Sequence, residues 1–261
     1  MVRLDSAKDR ALSYFAELRE TAAIRQFFAE IIIGRNGELV QSLGYDPAAK
    51  ARLREAVKLK ATPPTALYRG LYVQASSIFE AYVRDLSSIA AESKTSKFSK
   101  YSELPEPFRH HHIYLSGQIL QQMKTGTLHG QKFNFEQLIR SLGQCFSDAD
   151  DFSIMSEIFT SMMGNATPDR LEKLFVKIGL PHPFDPGVGQ NSAVKRVFGE
   201  TRQASAAKLA REKLDEIVGI RNTLVHGDLS ITVQQSDLDL AMDYFEAMIE
   251  ALDSIVKSVL S

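Results

Sequence analysis

Apolar residues recur at intervals of three and four almost from end to end of this chain, a spacing that fits helices and little else. The clearest stripe is the last: Leu238, Met242, Phe245, Ile249, Leu252, Ile255 and Val259 stay in phase for about six turns. Ser236 is expected to cap that helix, with Asp237 and Asp239 in its first turn, where acidic groups complement the helix dipole. Upstream, the same spacing predicts a helix from Ser6 to Ile33 that buries Leu12, Phe15, Leu18 and Phe28 and stops at Gly34. Asp46-Pro47 is a cap followed by proline in the first turn, opening a helix to about Lys60, and Pro63-Pro64 breaks the chain. Thr65 then caps a long helix, Ala66 to about Glu92, with Leu67, Leu71, Ile78, Tyr82, Leu86 and Ile89 inward.

Lys94 to Pro107 is polar and proline-containing and reads as a loop. Helices are expected at Phe108–Lys124, Phe135–Phe146 and Phe152–Met163, and another from the Thr167-Pro168 cap to Ile178, stopped by Gly179. Leu180 to Gly189 is a connector. One helix is expected from about Ser192 to Leu224, followed by a turn at His226-Gly227-Asp228 and a short extended stretch, Leu229 to Val233. The fold class is all-α.

Composition narrows the function. Net charge is −1, from 31 basic and 32 acidic residues, which excludes a uniformly basic nucleic-acid coat but not a local basic cleft. Cys145 is the lone cysteine, so neither an internal disulfide nor a zinc-finger pattern is available. The charged N-terminus lacks a signal-peptide core, and the apolar run Phe27 to Ile33 is interrupted by Glu30 and too short to span a bilayer. A cytoplasmic protein with no membrane partner is expected.

Chemistry concentrates at Gly219 to Asp228, which holds Arg221, Asn222 and His226. Five residues on an ideal helix turn through ~500°, leaving the Arg221 and His226 side chains ~140° apart around the axis. They share one site only if the helix ends near His226, and Gly227 supplies the freedom for such an end. A histidine titrating near neutrality can exchange a proton with a ribose 2′-OH or a leaving oxygen. A guanidinium offers planar donors to the phosphate oxygens, and neither role needs a metal or other cofactor. Asn222 could bond phosphate or hold Arg221. The bland alternative is a helix C-terminus with two positive side chains near its carbonyls.

The stretch Ile217 to Asp228 resembles the signature of the HEPN superfamily (higher eukaryote and prokaryote nucleotide-binding), an Arg, a polar residue, and a His four to six positions beyond. Leu67 to Leu86 and Thr167 to Leu180 are similar to helices of its RiboL-PSP-type branch. The resemblance covers roughly residues 65–255. It implies an up-and-down helical bundle; the expected organisation is a helical extension at 1–60 packed on a HEPN-like domain at 61–261, with extra helices inserted at about 93–190, before the C-terminal motif hairpin. It further implies a homodimer in which Arg221 and His226 of two protomers line one cleft. Many members are ribonucleases acting as toxins or in anti-phage defence, some with an antitoxin or defence partner, while others only bind. The intact Arg-polar-His set goes with the active kind. One subgroup is silenced by modification of a tyrosine three residues after the motif His; here Leu229 stands there.

Other candidates are weaker. Glu80, within the apolar stretch of the long helix, could orient Arg221 or His226, or be an ordinary surface residue paired with Arg84 one turn on. Lys195, Arg196, Arg202, Lys208 and Arg211 feed into the motif helix as a candidate RNA-tracking surface, with a solvated, ion-paired face as the alternative. Lys94, Lys97 and Lys100 form a second cluster. His110-His111-His112 point ~100° apart in succession and do not suit one metal ion. Gly126 to Gly130 lacks the ending of a phosphate loop, and Met155, Met162 and Met163 read as core. The expectation is a metal-independent endoribonuclease with RNA as substrate. The alternative is a non-catalytic helical module that binds RNA, a nucleotide or a protein.

Overall fold

A computed structural model describes residues 2–34, 65–122, 134–150, 152–161, 164–228 and 230–260 of the chain, in helices and turns with no strand among them. The helices longer than one turn are α1 (Val2–Gly34), α2 (Thr65–Thr95), α3 (Glu106–Gln122), α4 (Phe135–Phe146), α5 (Pro168–Lys177), α6 (Ser192–Phe198), α7 (Gln203–Val225) and α8 (Gln235–Leu260). The expected connector before α6 holds a π turn, Pro183–Gly187, and a helical turn, Val188–Gln190. The expected helix at Asp46–Lys60, the Gly126–Gly130 stretch, Met162, Met163 and Leu229 lie outside the described residues.

The regular apolar stripe of α8 is the centre of the bundle, and Met242, Phe245, Ile249 and Leu252 are all but fully buried. Phe245 stacks on Phe79 of α2, with centroids 4.7 Å apart, and on Phe15 of α1 at 6.1 Å. Buried hydroxyls tie the same helices together: Tyr82 Oη donates to the Ile249 carbonyl, and Tyr244 Oη donates to that of Ala210 on α7. α1 lies along α2 and α8 on Leu4, Ala7, Ala11, Phe15, Leu18 and Ala22. Ion pairs edge it on both sides, including Arg10 with Asp85 and Arg19 with Asp243 and Glu246. In the chain α3, α4 and α5 lie between α2 and α6, and at the far end of α2 Lys94 Nζ donates to the Ile178 and Gly179 carbonyls that close α5.

Four elements depart from the expected pattern. Residues 152–161 hold only a 3₁₀ turn, Ser156–Phe159, because Ser156 Oγ donates to Glu92 and pins the segment along α2 while Ile158 and Phe159 enter the core. The long helix expected from Ser192 is divided at Gly199, whose φ of 62° is a left-handed cap, and resumes at Gln203. α8 begins one residue before Ser236, and the Asp237 carboxylate, not Ser236, accepts the Gln234 N–H at its start. Residues 230–234 pair with no strand, and the Ile231 carbonyl instead accepts from Arg69 Nε.

The segment between α2 and α5 joins the same core, with Tyr101, Phe108, Ile158 and Phe159 buried in it. His112 is fully buried against Phe159 and Tyr101, with Nδ1 2.9 Å from Tyr101 Oη. Burial pushes its pKa down to about 4. Unfolding restores an ordinary histidine that binds a proton below about 6.5, so the unfolded chain takes up more protons between those values. Stability supplied by neutral His112 is therefore complete above about pH 6.5 and lost as pH falls toward 4, by about 3 kcal/mol. Urea unfolding of wild type and His112→Leu at a series of pH values checks this, and parallel curves would disprove it.

Candidate functional site

The site is built on the C-terminal end of α7. Ile217, Val218 and Leu224 are buried and fix the roll of the helix, which leaves Arg221 at the seam with α2. The helix closes in a Schellman motif: Gly227 N–H donates to the Leu224 carbonyl and Asp228 N–H to that of Thr223, with Gly227 at φ 86°. His226 is the C-cap, outside the regular helix and exposed. The helix ends at the motif histidine, but the His226 N–H still donates to the Asn222 carbonyl, so the backbone is helical up to that residue and the ~140° separation from Arg221 is kept within the subunit. Asp228, just beyond, accepts from the Ser230 hydroxyl and from its N–H, which hold the carboxyl below the usual range.

Arg221 is anchored from three directions. Its Nη1 donates to Asn165 Oδ1 at 3.0 Å and to the neighbouring Asn222 Oδ1 at 3.2 Å. Asn165 Nδ2 donates to the same Asn222 oxygen at 2.5 Å, closing a triangle of side chains. On the other side Arg221 Nη2 lies 3.8 Å from Glu80 Oε2. The Glu80 side chain is only 7% exposed, and the same oxygen is 3.9 Å from Arg84 Nη2. Glu80 thus faces two guanidiniums, its own helix neighbour and the motif arginine across the seam.

Asn165 was not signalled by residue type or spacing. It belongs to the Gly164-Asn165 turn ahead of the Thr167-Pro168 cap, far from the motif in sequence. Its own backbone is fixed, because its carbonyl accepts the Thr167 N–H at 2.9 Å. The only hint in the sequence is a Gly-Asn pair directly before a strong helix start.

The remaining candidates are dispersed. Arg211 is paired with Asp169 and, at 2.9 Å, with Glu172, both on α5. Lys208 lies 3.7 Å from Glu212, and Arg202 4.0 Å from Glu200. Arg196 shares a groove with Asp243, Glu246 and Glu250, and Lys195 is half-buried in the last turn of α6. Carboxylates therefore border much of this basic run. Lys94 caps α5, and Lys97 Nζ donates to the Leu260 carbonyl. His110 faces Glu106, whereas His112 is buried beside Tyr101. Among the described residues no three His, Cys, Asp or Glu side chains converge as a metal site.

A family model described as RiboL-PSP-HEPN matches residues 49–258, which span α2 to α8 and include every residue of the Arg221 cluster. No curated protein and no solved structure matches the chain. Among the described residues no helix is long and apolar enough to cross a membrane.

The triangle makes a stability prediction. Asn165→Ala removes two side-chain hydrogen bonds and leaves half-buried groups of Arg221 and Asn222 short of partners, at a cost of about 1–3 kcal/mol. Chemical denaturation should show that loss, whereas an unchanged midpoint would mean that Asn165 does not hold the arginine in solution.

Proposed function

The chain belongs to the RiboL-PSP-HEPN family, and from that premise we propose that it is a metal-independent endoribonuclease acting through Arg221 and His226. Family membership by itself points to a nuclease or RNA-related function. What supports the finer reading is the division of labour at the end of α7: an arginine held among Asn165, Asn222 and Glu80, and an exposed histidine at the cap five residues on. Preorganised charge and an accessible proton carrier are the two requirements for RNA transesterification.

In the mechanism His226 removes the 2′-OH proton, and the 2′ oxygen attacks the adjacent phosphorus. The P–O5′ bond breaks as the leaving oxygen takes up a proton, giving a 2′,3′-cyclic phosphate and a 5′-OH. Arg221 stabilises the charge that builds on the non-bridging oxygens, and Asn222 and Asn165 keep its fork from rotating. Glu80 is a positioning residue, countering the guanidinium without touching the strand. The resemblance supports a homodimer in which two such ends face one cleft, and a toxin or anti-phage role with an antitoxin or defence partner.

A second reading, a non-catalytic binding module, is favoured by the engagement of Arg221 within its own subunit, which a purely structural arginine would also show. The two separate on His226→Ala. In an enzyme this substitution lowers cleavage of single-stranded RNA by about 10²–10⁴-fold with the fold retained. Wild type should cleave in the presence of EDTA and leave 2′,3′-cyclic ends, read by mass spectrometry. RNA that stays intact with the pure wild-type protein would sink the enzyme reading, and cleavage that EDTA abolishes would sink the mechanism.

A further inference from the structure

The turn that carries Asn165 gathers more positive charge than the motif requires. Arg84 Nη2 donates to the Gly164 carbonyl at 3.3 Å, and Arg170 Nη1 reaches the Asn165 carbonyl at 3.5 Å. Gly164 makes room for this, since a Cβ there would lie 2.5 Å from Arg170 Nη1. With Arg221 on the Asn165 side chain, three guanidiniums meet on two residues. Glu80 is the carboxylate that lies near Arg84 and Arg221, and no described carboxylate lies within 4.0 Å of Arg170.

α5 extends the charge away from the motif. Its acids Asp169 and Glu172 turn toward Arg211 of α7. Beside them Arg170, Lys173 and Lys177, three and four residues apart, fall within about 60° of one another around the axis. Among the described residues neither lysine is ion-paired. Burial lowers the pKa of Lys177, and the charge of Lys173 lowers it further; Lys177 in turn adds to the burial that lowers His111 on α3. Like charges are crowded there with no acid between them. From Arg170 to Lys177 the row covers about 10 Å, long enough to follow a short stretch of single strand.

We propose that Arg84, Arg170, Lys173 and Lys177 bind the phosphates flanking the cleaved bond, so that the inserted α5 carries the RNA strand away from Arg221. This rests on the ribonuclease reading for the identity of the strand. Guanidinium forks at the turn suit individual phosphate oxygens, and the lysines that follow act as point charges along a backbone. The row is continuous with the motif arginine through Asn165, which favours the strand that Arg221 serves over an acidic protein or an anionic membrane.

The test uses the full chain and a 2′-O-methyl oligoribonucleotide of about twelve nucleotides, which cannot be cleaved and lies within the usual site sizes for single strands. Fluorescence anisotropy is followed over a range of salt for wild type, Arg170→Gln and the double variant Lys173→Gln/Lys177→Gln. Each variant should weaken Kd several-fold. Each lost phosphate contact should flatten the slope of log affinity against log salt by about 0.7. The loss in cleavage should grow with strand length. Thermal melts establish that the variants are folded, and if Arg170→Gln unfolds, the lysine pair decides. Unchanged Kd and slope in folded variants overturn the proposal. So does binding of an acidic peptide or anionic vesicles, but not the oligonucleotide, that the lysine pair weakens. If wild type cleaves no RNA while the variants lose affinity and slope, the ribonuclease reading falls and the phosphate path stands.

Discussion

Glu80 is the residue on which the geometry of the site turns. It follows Phe79, whose ring is stacked on Phe245 in the centre of the bundle, so the carboxylate is carried by a position that cannot roll without disturbing the core. Across the seam it faces Arg221, and along its own helix Arg84. A buried carboxylate is expensive to desolvate and is weak evidence for stability as such. Here the contacts are long, 3.8 and 3.9 Å, and Glu80 Oε1 and Arg221 Nε make no hydrogen bond to a described residue. An apolar pair of the same size would pack the seam at less cost. What the charge supplies is direction: it sets where Arg221 points and leaves the guanidinium's remaining capacity for the asparagines.

The histidine is governed by the opposite rule. Among the described residues no side chain hydrogen-bonds or pairs with His226, and its position comes from the backbone, from the Schellman closure and the left-handed Gly227. Any residue with a Cβ at 227 would strain the turn and move the cap. Arginine held by side chains and histidine held by main chain are thus independent of one another within the subunit. A substitution at Asn165 or Glu80 displaces Arg221 while leaving His226 in place, so the roles proposed for the two are experimentally separable.

The parts legible in the sequence were those set by local periodicity and caps. The α8 stripe, the Thr167-Pro168 start, the Gly179 stop and the end of α7 at His226 all depend on neighbours within a few residues. Glu80 was visible as an acid in an apolar stretch, though only the packing of α2 on α7 tells which side chain it meets. Asn165 was invisible because its partners are 56 and 57 residues away and its own surroundings read as an ordinary turn. The division at Gly199 was missed for another reason: an apolar pattern that resumes in phase hides a glycine whose left-handed φ ends the helix. The expected Phe152–Met163 helix failed because a tertiary hydrogen bond, Ser156 to Glu92, overrode weak local preference.

Charge along the chain and charge in space give different answers about where a polyanion would lie. Counted along the sequence, the basic run from Lys195 to Lys213 stands out, yet in the folded protein Arg202, Lys208 and Arg211 each have a carboxylate within 4.0 Å and Arg196 borders an acidic groove. α5 is unremarkable in composition, with two acids and three bases between Asp169 and Lys177. Folding sorts these by face, because Arg211 draws Asp169 and Glu172 to one side and leaves Arg170, Lys173 and Lys177 beside each other. The same arginine that reads as a phosphate ligand in the sequence thereby leaves free the row proposed to follow the strand. In a chain of net charge −1, such pairing is how a positive surface is made: acids are withdrawn from one face of a helix and the cations are left on the next.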